Sequence, residues 1–270
     1  MLLNTINEKL DIIVIAGQSN AEGYGIGPCE RSFRPTPKIL MMRDTDNQGY
    51  SVDDKTHGKF NIQMPRDYLI GIAEERCSTS GRIGNFGLYF ARKYAENMDN
   101  DRRVLLLQCA VGATGFAKGN WGVGSVLYER MIEMCTLALG MNRDNRIAAV
   151  LWHQGEHDAI FRPNLSDSER EKTHYNDLSS MISDFRMRFD TCPFLMGGFT
   201  DEWQKSCERS RIIVSALKKI TSDYERTAFV NAEGLKTNNQ ELGNGDVFHF
   251  SRNSLFLLGE RYYDEYCRQK

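Results

Sequence analysis

Two stretches carry the residue types of nucleophilic catalysis. Ser19 stands in Gly17-Gln18-Ser19-Asn20, directly after the apolar run DIIVIA at 11–16. A serine just past a buried strand can project its Oγ into a crevice, while Gly17 permits a tight turn and backbone N–H groups can face an oxyanion. Serine and asparagine are also common turn residues, so an ordinary turn serine is the competing reading. Position 21 is Ala21, not glycine, so the G-x-S-x-G elbow of α/β-hydrolases is not matched. The second stretch is GNGDVFHFS, in which Asp246 precedes His249 by three residues. In a loop or first turn that spacing lets the carboxylate fold back onto Nδ1–H, fixing the tautomer and leaving Nε2 free to take a hydroxyl proton. His57 lies in a charged segment, and His174 falls within a long predicted helix on a face expected to be solvated.

A third stretch, WHQGEHDA, packs His153, Gln154, Glu156, His157 and Asp158 behind another apolar run. His153 to His157 matches H-x-x-E-H, a zinc-hydrolase pattern, but that chemistry needs both histidines on one continuous helix. The residues before His153 are strand-like and Gly155 interrupts the segment, which opposes such a helix. The alternative is that the Gln154 amide donates to a developing oxyanion without a metal, the charged neighbours being supporting residues. Near it in kind is AVGATGF, where Gly112 or Gly115 lets a backbone N–H approach a ligand closely, or merely serves a turn.

These residues need a scaffold, and the apolar pattern supplies one. Strand-length runs recur at 11–16, 38–42, 103–110, 147–152, 193–199 and 227–231. Most read as strands buried on both faces. Helical spacing appears at 85–97, with Phe86, Phe90 and Tyr94 four apart, and at 125–139. A further helix at 166–189 opens with Ser166 and Glu169 as a capping box, and a last one starts near Ser251. Strands alternating with helices predict an α/β fold with a mostly parallel sheet, whose ligand site lies beyond the carboxyl ends of the strands. The chain of 270 residues is expected to form a single domain over 1–270, with a charged, glycine-containing surface excursion at about 43–82.

Composition narrows the partners. With 41% hydrophobic and 26% charged residues and a net charge of −2, nothing favours nucleic acid or an anionic membrane. The first apolar run is too short for an export signal or a membrane span. Seven cysteines without a C-x-x-C pair suggest reduced thiols in a cytoplasm. Trp121 and Trp203 are candidate sugar-stacking residues.

Taken together, GQSN at 17–20, AVGATG at 110–115, WHQGEHD at 152–158 and DVFHFS at 246–251 resemble the SGNH hydrolase superfamily. Within it they are similar to the carbohydrate esterase branch of sialate O-acetylesterases and acetylxylan esterases. The four blocks span residues 17 to 251, nearly the whole chain. The resemblance implies a three-layer α/β/α flavodoxin-like fold and a serine esterase that removes acyl groups, usually acetyl, from sugars, with no cofactor and an acetylated carbohydrate as partner. It implies Ser19 as nucleophile, His249 as base, Asp246 as its orienter, and an oxyanion hole of the Ser19 and Gly112 N–H groups with the Gln154 side chain. Two departures stand out: the third block has Gln154 where the superfamily has asparagine, and the second reads Gly112-Ala113-Thr114 where the branch often has adjacent glycines. A zinc hydrolase using His153 and His157, and a catalytically silent carbohydrate-binding relative, are the rival classes.

Overall fold

The computed structural model describes residues 8–44, 68–78, 81–162 and 164–269. The apolar runs form the strands of one sheet: β1 (Lys9–Gly17), β2 (Ile39–Asp44), β3 (Tyr68–Ile72), β6 (Arg102–Gln108), β7 (Arg146–His153), β8 (Phe194–Gly197) and β9 (Thr227–Val230). A separate two-stranded hairpin comprises β4 (Arg76–Ser78) and β5 (Gly81–Ile83). The sheet order is β3-β2-β6-β1-β7-β8-β9, with every pair parallel except β2 and β3.

The helices are α1 (Ser19–Glu22), α2 (Phe86–Glu96), α3 (Val126–Gly140), α4 (Glu156–Ile160), α5 (Asp167–Arg188), α6 (Asp201–Ser206), α7 (Arg209–Asp223), α8 (Asn238–Leu242) and α9 (Arg252–Arg268). Alternate side chains of β1 feed two cores, as the period of a strand requires. Ile12 and Val14 pack with Tyr128 and Met131 of α3, Phe185 of α5 and Leu217 of α7. Ile13 and Ile15 face the other way, toward Phe86 and Phe90 of α2 and Leu255 and Tyr262 of α9. The result is three layers, α/β/α, with a sheet covered on both faces. The capping box expected at α5 is present, Ser166 N–H donating to Glu169 Oε2 at 2.9 Å and the Glu169 N–H returning to Ser166 Oγ at 3.3 Å.

The chain leaves β1 for one side of the sheet, returns to β6, then crosses β1 to begin β7 on the other side. The carboxyl ends of β6, β1 and β7 therefore lie side by side where the winding reverses, the place where such sheets bind ligands. Gly17 makes the close approach possible: a Cβ there would sit 2.2 Å from the His153 carbonyl oxygen.

Most of the expected excursion, residues 45–67, lies outside the described residues, as does His57. Of the rest, Tyr68–Ile72 forms the antiparallel edge strand paired with β2. Among the described residues no helix is long and apolar enough to cross a membrane.

Candidate active site

The four sequence blocks converge at these strand ends. Ser19 opens α1 immediately after β1, and the turn is pinned to β7 by Gln18 N–H donating to the His153 carbonyl at 2.9 Å. Gly112 follows β6, and the Cβ position of Gly112 lies 3.6 Å from Ser19 Cβ. Gly115 sits against the third block, its Cβ position 2.9 Å from Gln154 Nε2. The structure thus places Gly112 beside the serine and Gly115 beside the glutamine. Between them Ala113 adopts φ 59°, a left-handed conformation that favours glycine, so the turn keeps a glycine-type backbone without the second glycine. Gln154 is fully buried, with Nε2 3.4 Å from Gln18 Oε1.

His249 and Asp246 form the expected pair. His249 Nδ1 lies 2.8 Å from Asp246 Oδ2, and Asp246 Oδ1 accepts the His249 N–H at 3.2 Å. Burial opposes the Asp246 charge, but the hydrogen bond and charge of His249 outweigh it and hold the carboxyl below the usual carboxylate range. Asn238 Nδ2 also donates to Asp246 Oδ2 at 2.9 Å and to the Tyr24 carbonyl at 3.0 Å, tying the pair to the segment that follows α1. The Tyr24 ring stacks on the His249 imidazole, centroids 5.1 Å apart and planes 21° from parallel. Burial, aided by the Glu22 charge, pushes the Tyr24 phenol up to about 12, so it stays neutral.

Asn20 joins the serine to the histidine. Its Nδ2 donates to the Phe248 carbonyl at 3.1 Å and its Oδ1 accepts the Phe250 N–H at 3.2 Å, so one amide grips the backbone on both sides of His249. That amide is oriented by Glu156 Oε1 at 3.0 Å. Glu156 is buried, its Oε2 has no hydrogen-bond partner among the described residues, and burial pushes its carboxyl up to about 7.

The cluster after β7 also holds the second block. Asp158 Oδ1 accepts the Ala117 N–H at 2.7 Å, and Asp158 Oδ2 pairs with His174 Nδ1 at 3.1 Å. Burial opposes the Asp158 charge, yet His174 keeps the carboxyl low. His174 is therefore buried rather than on the solvated face expected for it, because α4 and the Phe116 ring cover that side of α5.

Other expectations change. Trp121 and Trp203 are 3% and 2% exposed, packed on Trp152 and Phe199 respectively, so neither presents a face to a sugar. The two histidines of H-x-x-E-H belong to different elements, His153 to β7 and His157 to α4. The His153 ring lies against Phe86, Phe199 and Phe250, with Nδ1 at Tyr262 Oη, while the His157 ring stacks on Phe161. Among the described residues no group of three or more His, Cys, Asp or Glu side chains is arranged to hold a metal ion.

Glu156 takes the supporting role expected of the charged neighbours of Gln154, whereas the sequence assigns no such role to Asn20, Tyr24 or Asn238. Asn20 and Glu156 lie inside the recognised blocks and signal themselves only as polar residues after buried strands. Tyr24 and Asn238 carry no local signal, since their roles depend on contacts far apart in the chain.

Comparison with known proteins identifies the family. The profile of the family described as carbohydrate esterase, sialic acid-specific acetylesterase, matches residues 9–268. A curated relative of Escherichia coli (strain K12), named "Probable 9-O-acetyl-N-acetylneuraminic acid deacetylase", is 26% identical over 254 residues, covering 82% of this chain and 74% of its own. A probable carbohydrate esterase of Arabidopsis thaliana is 29% identical over 208 residues, covering 71% and 72%. The solved structure of NanS superposes with a TM-score of 0.72 at 18% identity, covering 97% of both chains, a likeness of fold. With its sheet, its converging strand ends and a profile match across nearly the whole chain, the protein is a carboxylic ester hydrolase belonging to the carbohydrate esterase, sialic acid-specific acetylesterase family.

Proposed function

We propose that the protein removes O-acetyl groups from a sialic acid by a two-step serine esterase mechanism. Ser19 is the nucleophile, His249 the general base and acid, and Asp246 its orienter. The Ser19 and Gly112 N–H groups and the Gln154 side chain are the oxyanion donors. The observation that carries this reading is the grip of Asn20, the residue after Ser19, on both backbone neighbours of a histidine whose Nδ1 is 2.8 Å from a carboxylate. It supports a serine, an oriented imidazole and a backbone N–H acting together at one end of the sheet.

His249 Nε2 accepts the Ser19 Oγ proton as Oγ bonds to the acetyl carbonyl carbon, and the carbonyl oxygen takes the negative charge. His249 then gives that proton to the sugar oxygen as the ester bond breaks, leaving acetyl-Ser19. Water, deprotonated by His249, attacks the acyl group, and acetate departs as Ser19 recovers its proton. The sialic acid assignment draws on the family description and the name of the E. coli relative.

Labelling with a fluorophosphonate followed by peptide mapping tests the nucleophile: Ser19 is the expected site, and Ser19→Ala should lose roughly 10⁴-fold or more of kcat on an aryl acetate. Labelling at another residue, or a Ser19→Ala variant keeping a tenth of the rate, would overturn it. Acetate release from O-acetyl sialic acid, acetylated xylan and simple sugar acetates tests the substrate. Preference for xylan would reject the sialic acid reading while leaving the serine mechanism intact.

A further inference from the structure

The Gly112 N–H, the donor placed beside Ser19, already has an anionic partner. Glu22 Oε2 accepts it at 2.7 Å. The other carboxylate oxygen, Oε1, accepts from Arg76 Nη1 at 3.2 Å, and the Glu22 side chain is 5% exposed. Arg76 is anchored separately: it donates to the Gly23 carbonyl and its guanidinium lies over the Tyr24 ring, 5.5 Å from the centroid. At the Cβ position of Gly112, Glu22 Oε2, Tyr24 Oη and Ser19 Cβ lie 3.1, 3.3 and 3.6 Å away, so carboxylate, nucleophile and donor share one contact shell.

A backbone N–H has one hydrogen to give. Oxyanion stabilisation requires it to point at the acyl oxygen at hydrogen-bond distance as charge develops there. A carboxylate on the same hydrogen competes with that oxygen, and its charge repels the oxyanion. Burial pushes the Glu22 carboxyl up, against the pull of Arg76 and Gly112, so this carboxylate is held at a cost.

We propose that Glu22 is a displaceable occupant of the oxyanion hole: the acyl oxygen gains the Gly112 N–H only when the Glu22 carboxylate releases it and stays with Arg76. Glu22 thereby sets part of the barrier to acylation and selects for esters that bind well enough to displace it. This rests on the assignment of Ser19 and Gly112 made above.

The test compares wild type, Glu22→Ala and Glu22→Gln by kcat/KM on p-nitrophenyl acetate and by the rate of fluorophosphonate labelling at Ser19, with Tm measured for each. Removing the competitor should raise both rates about tenfold or more in Glu22→Ala, the size of one charge-assisted hydrogen bond. Glu22→Gln, an uncharged and weaker acceptor, should show a smaller rise. If the alanine variant does not fold, the near-isosteric glutamine variant decides the matter alone. Unchanged rates would show that Glu22 does not compete for a donor the reaction uses, and lower rates at unchanged Tm would show that it assists; either overturns the proposal. Wild type labelled at Ser19 without acceleration in the variants rejects this inference only. Wild type not labelled at Ser19 overturns the serine mechanism and this inference with it.

Discussion

At the scale of single residues, the third block divides its side chains among three tasks. Gln154 faces the glycine turn, Glu156 orients Asn20, and Asp158 holds Ala117 and His174. The metal reading rests instead on the spacing of His153 and His157, which belong to different elements. Gln154 is the one of the three with a proposed role on the reacting atoms. If its Nε2 donates to the oxyanion, Gln154→Ala should lower kcat about 10²- to 10³-fold, with a smaller change in KM. Steady-state kinetics on an aryl acetate measure this directly. A rise in KM alone would place Gln154 in ground-state binding instead.

At the scale of elements, the site is an assembly of strand ends held in register by side-chain amides. Asn20 links the end of β1 to the segment before α9 through the Phe248 carbonyl and the Phe250 N–H. Asn20→Ala leaves the buried Phe250 N–H without its acceptor and frees the backbone on both sides of His249. A displacement of about 1 Å there is enough to cost about 10²-fold in kcat. The expected result is a loss of that order with KM little changed, together with a lower Tm; full activity would mean that His249 is held by the Asp246 and Tyr24 contacts alone. The same logic explains what could be read from the sequence. Strands such as β1 and β6 were legible because both faces are buried, giving unbroken apolar runs. Helix α2 was legible because Phe86, Phe90 and Tyr94 all point to one core. Helices α1 and α4 are too short for a period to show, whereas α7 buries Ile213, Ala216, Leu217 and Ile220 at helical spacing, a stripe that its sequence does display. Asp246 and His249 meet as their three-residue spacing suggests, the role proposed for Ser19 rests on the resemblance and not on spacing, and Glu22 and Arg76 meet through the β4 strand, 54 positions apart in sequence. His174 was misread because a periodic pattern says nothing about α4 packing over its outer side.

At the scale of the whole molecule, burying acids around one strand-end site makes stability depend on pH in two separate windows. Asp158 and Asp246 are held below their ordinary range by their histidine partners. Their contribution is present above the unfolded value near 4 and is lost as pH falls through their lower folded values, so it governs acid unfolding. Glu156 acts in the opposite sense. The unfolded chain ionises this side chain near its ordinary 4.5, but in the fold burial delays ionisation to about 7. Between those values the folded state holds a proton that the unfolded state has released, so stability falls as pH rises across the window and levels off above it. The total is on the order of 3 kcal/mol. Glu156→Gln keeps an acceptor for Asn20 and cannot ionise, so this decline should vanish in the variant. The raised carboxyl of Glu22 contributes a decline of the same sign to both proteins, and subtracting wild type from variant removes it. Urea unfolding at pH 5, 6, 7 and 8 should therefore show Glu156→Gln gaining stability relative to wild type as pH increases, with most of the gain complete near pH 7. A constant difference across that range would mean that Glu156 does not change its charge there, and that its buried, unpartnered oxygen is tolerated in the ionised form.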